Sequence, residues 1–328
     1  MYAINKLYNC GIFQGAGKRK HYFEGWYFKH VDLEEKNMIS IIPGISYGGD
    51  EKEAHAFIQI MDGSTQETHY LRYDMDEFKF SYNTFEIVIG NNFFSDRKMS
   101  LDINREEICI CGCLSYNDVV PWHSSVLSPN SMGWYAFIPA MECYHSVISM
   151  QHNISGSLIK NDKQLCFDKG IGYMEKDWGT SFPSSWIWLQ SNHFDISSTS
   201  FMLSAAKIPW HSKSFIGFIV GIWNNGKLYR FTTYTGAKLD SLAYQGNSVE
   251  ISLSDKSYGL VVTAHQGTTG ELHSPIKGAM IGKVQESINA RINIILADKK
   301  TGRIIVNTKA HCCGMEVAGN IQELVSLP

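Results

Sequence analysis

IGYMEKDWGTSFPSSWIWLQSNHF, residues 171–194, crowds aromatic rings, two carboxylates, a lysine and two amides around one tight turn. Side chains alternate sides along an extended strand, so Tyr173, Glu175 and Asp177 share one face while Met174, Lys176 and Trp178 share the other. Beyond the turn at 179–183, Trp186, Trp188, Gln190 and Asn192 fall on one side, and Ile187, Leu189, Ser191 and His193 on the other. A strand with one solvated face carries small polar groups outward. Here both sides carry demanding groups, which predicts strands enclosed on both faces or lining a cavity.

Outward from this stretch the chain reads as short strands separated by turns. Residues 21–31, 38–45 and 55–61 have strand alternation, 71–90 and 101–115 supply more with Asn83 at a turn, and 142–154 resumes the pattern. KNDK at 160–163 reads as a hairpin turn. Further strands are predicted at 201–207, 215–223, 227–234, 248–254, 258–265, 290–296 and 303–309, with Asn-Asn-Gly at 224–226 a strong hairpin signal. Residues 117–139, interrupted by Pro121, Pro129, Gly133 and Pro139, read as a long loop with functional potential. Only 283–290 shows a weak helical period, so helix content is expected to be low. Many short strands in two halves predict antiparallel barrels or sandwiches.

A chain of 328 residues suggests two domains of roughly 150 residues each. The boundary expected from the turn is at 160, giving domains 1–160 and 161–328, the second carrying GYMEKDWG. The net charge of −3 and the lack of a basic stripe leave nucleic acid without an electrostatic footprint. Aromatic residues make up 12% and charged residues only 19%, a balance suited to an extensive apolar interior or a pocket for an oily ligand. The N-terminal stretch lacks the ordered regions of a secretory signal, and the longest apolar run, 215–223, falls far short of the roughly 20 residues a membrane helix needs. The expectation is a soluble, cytoplasmic protein, with peripheral membrane contact left open.

The eight cysteines read as reduced thiols. Cys109, Cys111 and Cys113 would share one side of a strand at steps of about 7 Å, too stretched for one tetrahedral ion. With no H-E-x-x-H and no paired C-x-x-C, no metal is expected.

The central stretch resembles a known family. GYMEKDWGTSFPSSWIWLQSN at 172–192 is similar to the Y-x-E-K-N-W-G-x-x-F-P-x-x-W-x-W-x-Q-x-N signature of the tocopherol cyclase family, with Asp177 where the signature has Asn. FEGWYFK at 23–29 resembles the family's F-E-G-W-Y-[FY]-[KR] opening and GMEVAGN at 314–320 its [AG]-x-E-V-[AG]-G ending, whereas MECYHS at 141–146 lacks the His-Trp pair of plant members. The resemblance implies an all-β chain of two tandem lipocalin-like barrels with few helices. It also implies an enzyme that closes a chromanol ring on a prenylated hydroquinone by protonating an alkene, without a cofactor. An isoprenoid alkene hydratase and a non-catalytic lipid or isoprenoid carrier are the alternatives.

The residues read on their own terms point the same way. A carboxyl group held beneath aromatic walls resists ionisation and can act as a general acid, which nominates Glu175 with Tyr173; the ordinary alternative is a satisfied structural acid. In the related carotenoid hydratases a Y-x-D motif at this place carries the acid. Asp177 and Lys176 are expected to tune the proton, and Glu24, beside Trp26, is a secondary acid. Trp122, Trp134, Trp178, Trp186 and Trp188 are expected to wall a pocket and stabilise a carbocation through their ring faces, although core packing is the default for any one tryptophan. His145 is read as a proton shuttle or ligand-polarising group. Gln190 and Asn192 are candidates to orient quinol hydroxyls.

Overall fold

The computed structural model describes residues 2–139 and 141–325 and divides the chain into two compact units. The first comprises the chain up to Phe182 together with Glu271–Lys283; the second comprises Pro183–Gly270 and the chain from Val284 on.

The first unit contains a short helix α1 (Tyr2–Tyr8) and the strands β1 (Tyr22–Val31), β2 (Met38–Tyr47), β3 (His55–Asp62), β4 (Thr68–Tyr73), β5 (Phe78–Phe80) and β6 (Glu86–Ile89). It continues with β7 (Asn92–Ser95), β8 (Lys98–Asn104), β9 (Cys109–Val120), β10 (Cys143–Lys160), β11 (Lys163–Cys166) and β12 (Gly170–Gly179). The sheet runs β4-β3-β2-β1-β12-β10-β9-β8-β7-β6-β5, with β11 beside β10. Neighbours along this path are antiparallel, and β12 closes the long-range gap between β1 and β10. Trp26, Phe28, Met174, Trp178, Leu114 and Tyr116 belong to one core.

The second unit contains β13 (Ser185–Ser191), β14 (His193–Phe194), β15 (Thr199–Trp210), β16 (Lys213–Asn224), β17 (Lys227–Thr232), β18 (Lys238–Gln245), β19 (Ser248–Ser254) and β20 (Tyr258–His265). β21 (Gly270–Ile276) and the start of β22 (Ala279–Asp298) fall in the 271–283 segment of the first unit, and the rest of β22 with β23 (Ile304–Gly319) and the helix α2 (Gln322–Val325) complete the second. Its sheet runs β17-β16-β15-β13-β23-β22-β20-β19-β18, around a core that includes Ile187, Leu189, Val262, Ile294 and Met315. Two mostly antiparallel, lipocalin-like sheets, each with its own core, are the fold expected from the sequence.

Two expectations change. Residues 283–290 are not helical but lie inside β22, because the alternating buried positions Val284, Glu286 and Ile288 follow the two-residue period of a sheet. The division lies at Phe182/Pro183 rather than at 160. Lys160 and Lys163 do face each other across a hairpin, but the strand after that hairpin returns to pair with β1, so GYMEKDWG belongs to the first unit. The hairpin around residues 271–283 also joins the first unit. The Gln59 side chain brackets the His273 backbone, its amide donating to the carbonyl at 3.1 Å and its carbonyl accepting from the N–H at 2.7 Å, and Ser46 Oγ donates to the Gly278 carbonyl at 2.8 Å. No described helix is long and apolar enough to cross a membrane.

Candidate functional site

The β1–β12 register sets Gly25 against Asp177, Tyr27 against Glu175 and Lys29 against Tyr173, while Glu24 faces Trp178 and Trp26 faces Lys176. Because directly paired residues point to the same side of a sheet, the strand pair presents two different surfaces.

The surface turned into the core holds a closed ion pair. Lys176 Nζ lies 2.5 Å from Glu24 Oε1, both side chains being fully buried, and donates to the Cys10 and Ile12 carbonyls at 2.8 and 2.7 Å. The ammonium also sits 4.8 Å from the Trp26 ring and 4.9 Å from the Trp178 ring. Glu24 in turn accepts from Tyr22 Oη at 2.5 Å and from the Gln14 backbone N–H at 2.9 and 3.0 Å. Burial pushes the Lys176 ammonium down from its ordinary range and Glu24 pulls it back up. With donors on both carboxylate oxygens and acceptors around the ammonium, the pair satisfies the conditions under which a buried charge is tolerated.

The opposite surface of the same strand holds a chain of titratable groups. Tyr173 Oη donates to Glu175 Oε2 at 2.6 Å. His145, on β10 across from Asp177, places Nδ1 3.0 Å from Asp177 Oδ1 and Nε2 3.6 Å from Glu175 Oε2. Tyr173 is fully buried and Glu175 is 4% exposed, whereas the Asp177 side chain is 22% exposed. The chain therefore runs from a dry end to a wet one. Burial, with Glu175 second, drives the Tyr173 phenol well above its usual range, so it donates and does not ionise. The half-buried Cys143 thiol, its Sγ 4.0 Å from Asp177 Oδ1, is likewise pushed well up by desolvation and then by Asp177 and Glu142.

Donor atoms of His145, Glu175 and Asp177 lie within 4.8 Å of one another. As placed, the imidazole meets Asp177 through Nδ1 at 3.0 Å, while Nε2 stands 3.6 Å from Glu175, beyond hydrogen-bond length.

The remaining candidates separate. Trp26 and Trp178 face the core with Lys176, and Trp178 stacks on Tyr144 at 5.2 Å, so neither shares a surface with Glu175. Glu24 is the partner of Lys176 and does not join Glu175. Trp122 is buried, its Nε1 without a hydrogen-bond partner among the described residues. Trp134 is 44% exposed and stacks on Tyr135 at 4.1 Å, so it does not enclose the buried acid.

In the second unit, Ile187 and Leu189 enter the core and Trp186, Trp188 and Gln190 take the other face. Trp186 Nε1 donates to Glu316 Oε2 at 2.6 Å. Trp188 lies over Gly314, where a Cβ would come within 2.5 Å of its ring, and Gln190 and Asn192 are buried.

Three features escaped the sequence reading. Lys29, at the end of FEGWYFK, is 1% exposed on the Tyr173 side of the sheet. Glu316, within GMEVAGN, pairs across strands with the buried Glu286. Both sit in the quoted motifs, and strand parity would have put Lys29 on the Tyr27 side. The third is a G-x-S-x-G string at 44–48. It lies in β2, and Ser46 donates to a carbonyl, so it is no strand-to-helix nucleophile turn.

The model of the tocopherol cyclase-like family matches residues 112–319. A chloroplastic tocopherol cyclase of Zea mays is 27% identical over 203 residues, 58% of this chain and 42% of the maize protein; the match thus spans about two-fifths of that relative's length. Among solved structures, CghA in complex with Sch210972 superposes with a TM-score of 0.54 at 9% identity, covering 91% of this chain and 89% of that one. Kievitone hydratase from Nectria haematococca gives a TM-score of 0.50 at 11% identity, covering 94% and 93%. At such identities the likeness is one of fold. Since the matched region takes in well over half of the chain and includes the whole Tyr173–Asp177 strand, the protein belongs to the tocopherol cyclase-like family.

Proposed function

We propose that this protein is a tocopherol cyclase-type enzyme that converts a prenylated hydroquinone to a chromanol by intramolecular, acid-initiated ring closure, with Glu175 as the acid. The observation that carries the reading is the chain Tyr173–Glu175–His145–Asp177, with its acid buried and its far end reaching water.

Glu175 transfers its proton to the less substituted carbon of a trisubstituted prenyl alkene, leaving a tertiary cation. The phenol oxygen of the same molecule attacks that cation, forming the ring C–O bond, and its proton returns to the carboxylate. Atoms balance with no water, oxidant or reductant consumed, which makes the reaction an isomerisation and asks for no cofactor. The phenol rings of Tyr173 and Tyr27 flank the acid in the sheet and offer electron-rich faces to the cation. Tyr173 fixes the carboxyl rotamer, and His145 with Asp177 supplies a route by which a lost proton is restored. Holding oxygen and alkene together removes much of the entropic part of the barrier.

Capture of the same cation by water would make the protein an isoprenoid alkene hydratase, a reading favoured only by the fold shared with kievitone hydratase. A carrier of neutral lipids gains nothing from a buried acid chain, which costs free energy to desolvate. Incubation with a prenylated benzoquinol, followed by chromatography, tests the choice. Chromanol formation is expected; a tertiary alcohol would assign the hydratase, and tight binding without turnover the carrier.

A further inference from the structure

The long loop between β9 and β10 carries an anomaly that acid chemistry does not use. Ser125 and Ser128 pair through both backbone hydrogen bonds, at 2.8 and 3.0 Å, closing a two-residue turn. Exposed turn tips favour Gly, Pro, Asn, Asp and Ser, small or polar residues that suit the bend and the water around it. Here the two tip residues are Val126 and Leu127, 75% and 78% exposed. Along the same loop Trp134 and Phe137 are 44% and 46% exposed.

The loop's charge pattern is equally selective. From 119 to 141 there is no Asp, Glu, Lys or Arg, although such residues make up 19% of the chain. A partner that recognised the loop through ion pairs would find nothing to pair with. An apolar tip with an indole ring further along, lacking charge of either sign, is complementary to an uncharged lipid interface, where aliphatic groups enter the acyl region and tryptophan rests at headgroup level.

The loop is also tied to the candidate site. Ser131 Oγ donates to the His145 carbonyl at 3.1 Å and accepts from the Val147 N–H at 3.2 Å, while Tyr144 Oη donates to the Ile138 carbonyl at 2.7 Å. Tyr8 Oη holds the tip by donating to the Val126 carbonyl at 2.9 Å. The apolar tip is thus fastened on one side to α1, and the loop behind it to the strand segment that carries His145.

We propose that this loop docks the protein on an uncharged phospholipid surface, with Val126 and Leu127 inserted among the acyl chains, so that a lipid-dissolved substrate is met beside the strand that carries His145. The delivery role rests on the proposed function; the docking itself does not.

The test is co-sedimentation of the full chain with phosphatidylcholine vesicles. The wild-type protein is expected to sediment with them irrespective of salt, and a Val126→Asp/Leu127→Asp variant to partition about tenfold more weakly or worse. The same variant should melt at the wild-type temperature and turn over detergent-dispersed substrate at the wild-type rate. Failure of the wild type to bind, equal binding by the variant, or binding only to anionic vesicles that salt reverses would each overturn the proposal. So would a concentration-dependent dimer that the variant abolishes, because the tip would then be covered by a second copy. Lack of turnover by any form would remove the proposed chemistry and leave the vesicle result standing.

Discussion

Glu24 and Glu175 are buried carboxylates on adjacent strands of one sheet, turned to opposite faces with different neighbours. Glu24 lies against an ammonium at 2.5 Å, with further donors on both oxygens; its charge is fully compensated and its surroundings are core. Glu175 accepts a hydrogen bond from the Tyr173 phenol and lies 3.6 Å from the ring of His145, whose other nitrogen meets Asp177. The first arrangement holds strands together; the second is the one we propose as the proton source. Alternation along Tyr173–Trp178 sends Lys176 to one side and Glu175 to the other, which separates the acid ion-paired to Lys176 from the one we propose as catalytic.

The contrast can be broken from either side. The largest effect is expected at Glu175→Gln, which keeps shape and hydrogen bonding but has no proton to give. Turnover should fall by about 10³-fold with an unchanged melting temperature, measured by product formation and thermal unfolding. Lys176→Met should do the reverse. Leaving Glu24 buried without its cation is expected to cost roughly 3–5 kcal/mol of stability, whereas Lys176→Met combined with Glu24→Leu should recover most of it; chemical denaturation reads both.

The core side carries a further pair of polar groups that sharpens the same distinction. His30 Nε2 lies 2.8 Å from Tyr116 Oη, the His152 ring packs on Tyr116 at 4.7 Å, and burial lowers the His30 pKa to about 3 and that of His152 well below the usual value. Folded, these rings stay neutral while the unfolded chain takes up protons below about pH 6.5. Stability is therefore complete above that pH and falls as pH drops towards 3, by about 1.4 kcal/mol per pH unit for each histidine. His30→Phe should flatten this slope in acid unfolding curves, whatever loss of the Tyr116 contact does to stability at neutral pH. The smallest effect is expected at His145→Asn, where loss of the relay should slow turnover about tenfold and alter the pH profile of the rate without altering acid stability.

Much of this was legible before any coordinates, and the reason is local. Strand parity needs only neighbouring residues, so the Tyr173–Glu175–Asp177 face, the Trp186–Trp188–Gln190 face and the enclosure of both were readable from the 171–194 stretch. The Asn-Asn-Gly turn at 224–226 was readable too, because its backbone preference is its own. What could not be read depends on register between distant strands. That β12 lies beside β1 decides that Lys176 pairs with Glu24 and not with Glu175, that Trp26 and Trp178 are core, and that the first unit extends to Phe182. The weak helical period at 283–290 misled because a 20-residue strand buried on alternate sides and broken by register shifts imitates a longer repeat. Exposure of Trp134 was equally hidden, since an aromatic in a loop reads alike whether it lines a pocket or faces out.

The most direct test is product formation from a prenylated benzoquinol in heavy water, comparing the wild type, Glu175→Gln and the Glu24→Leu/Lys176→Met pair at equal folded concentration. The account predicts one deuterium on the ring carbon next to the new C–O bond, formed by the wild type and the core pair variant and lost with Glu175→Gln. Product without deuterium, or a Glu175→Gln variant as active as the wild type, would contradict it.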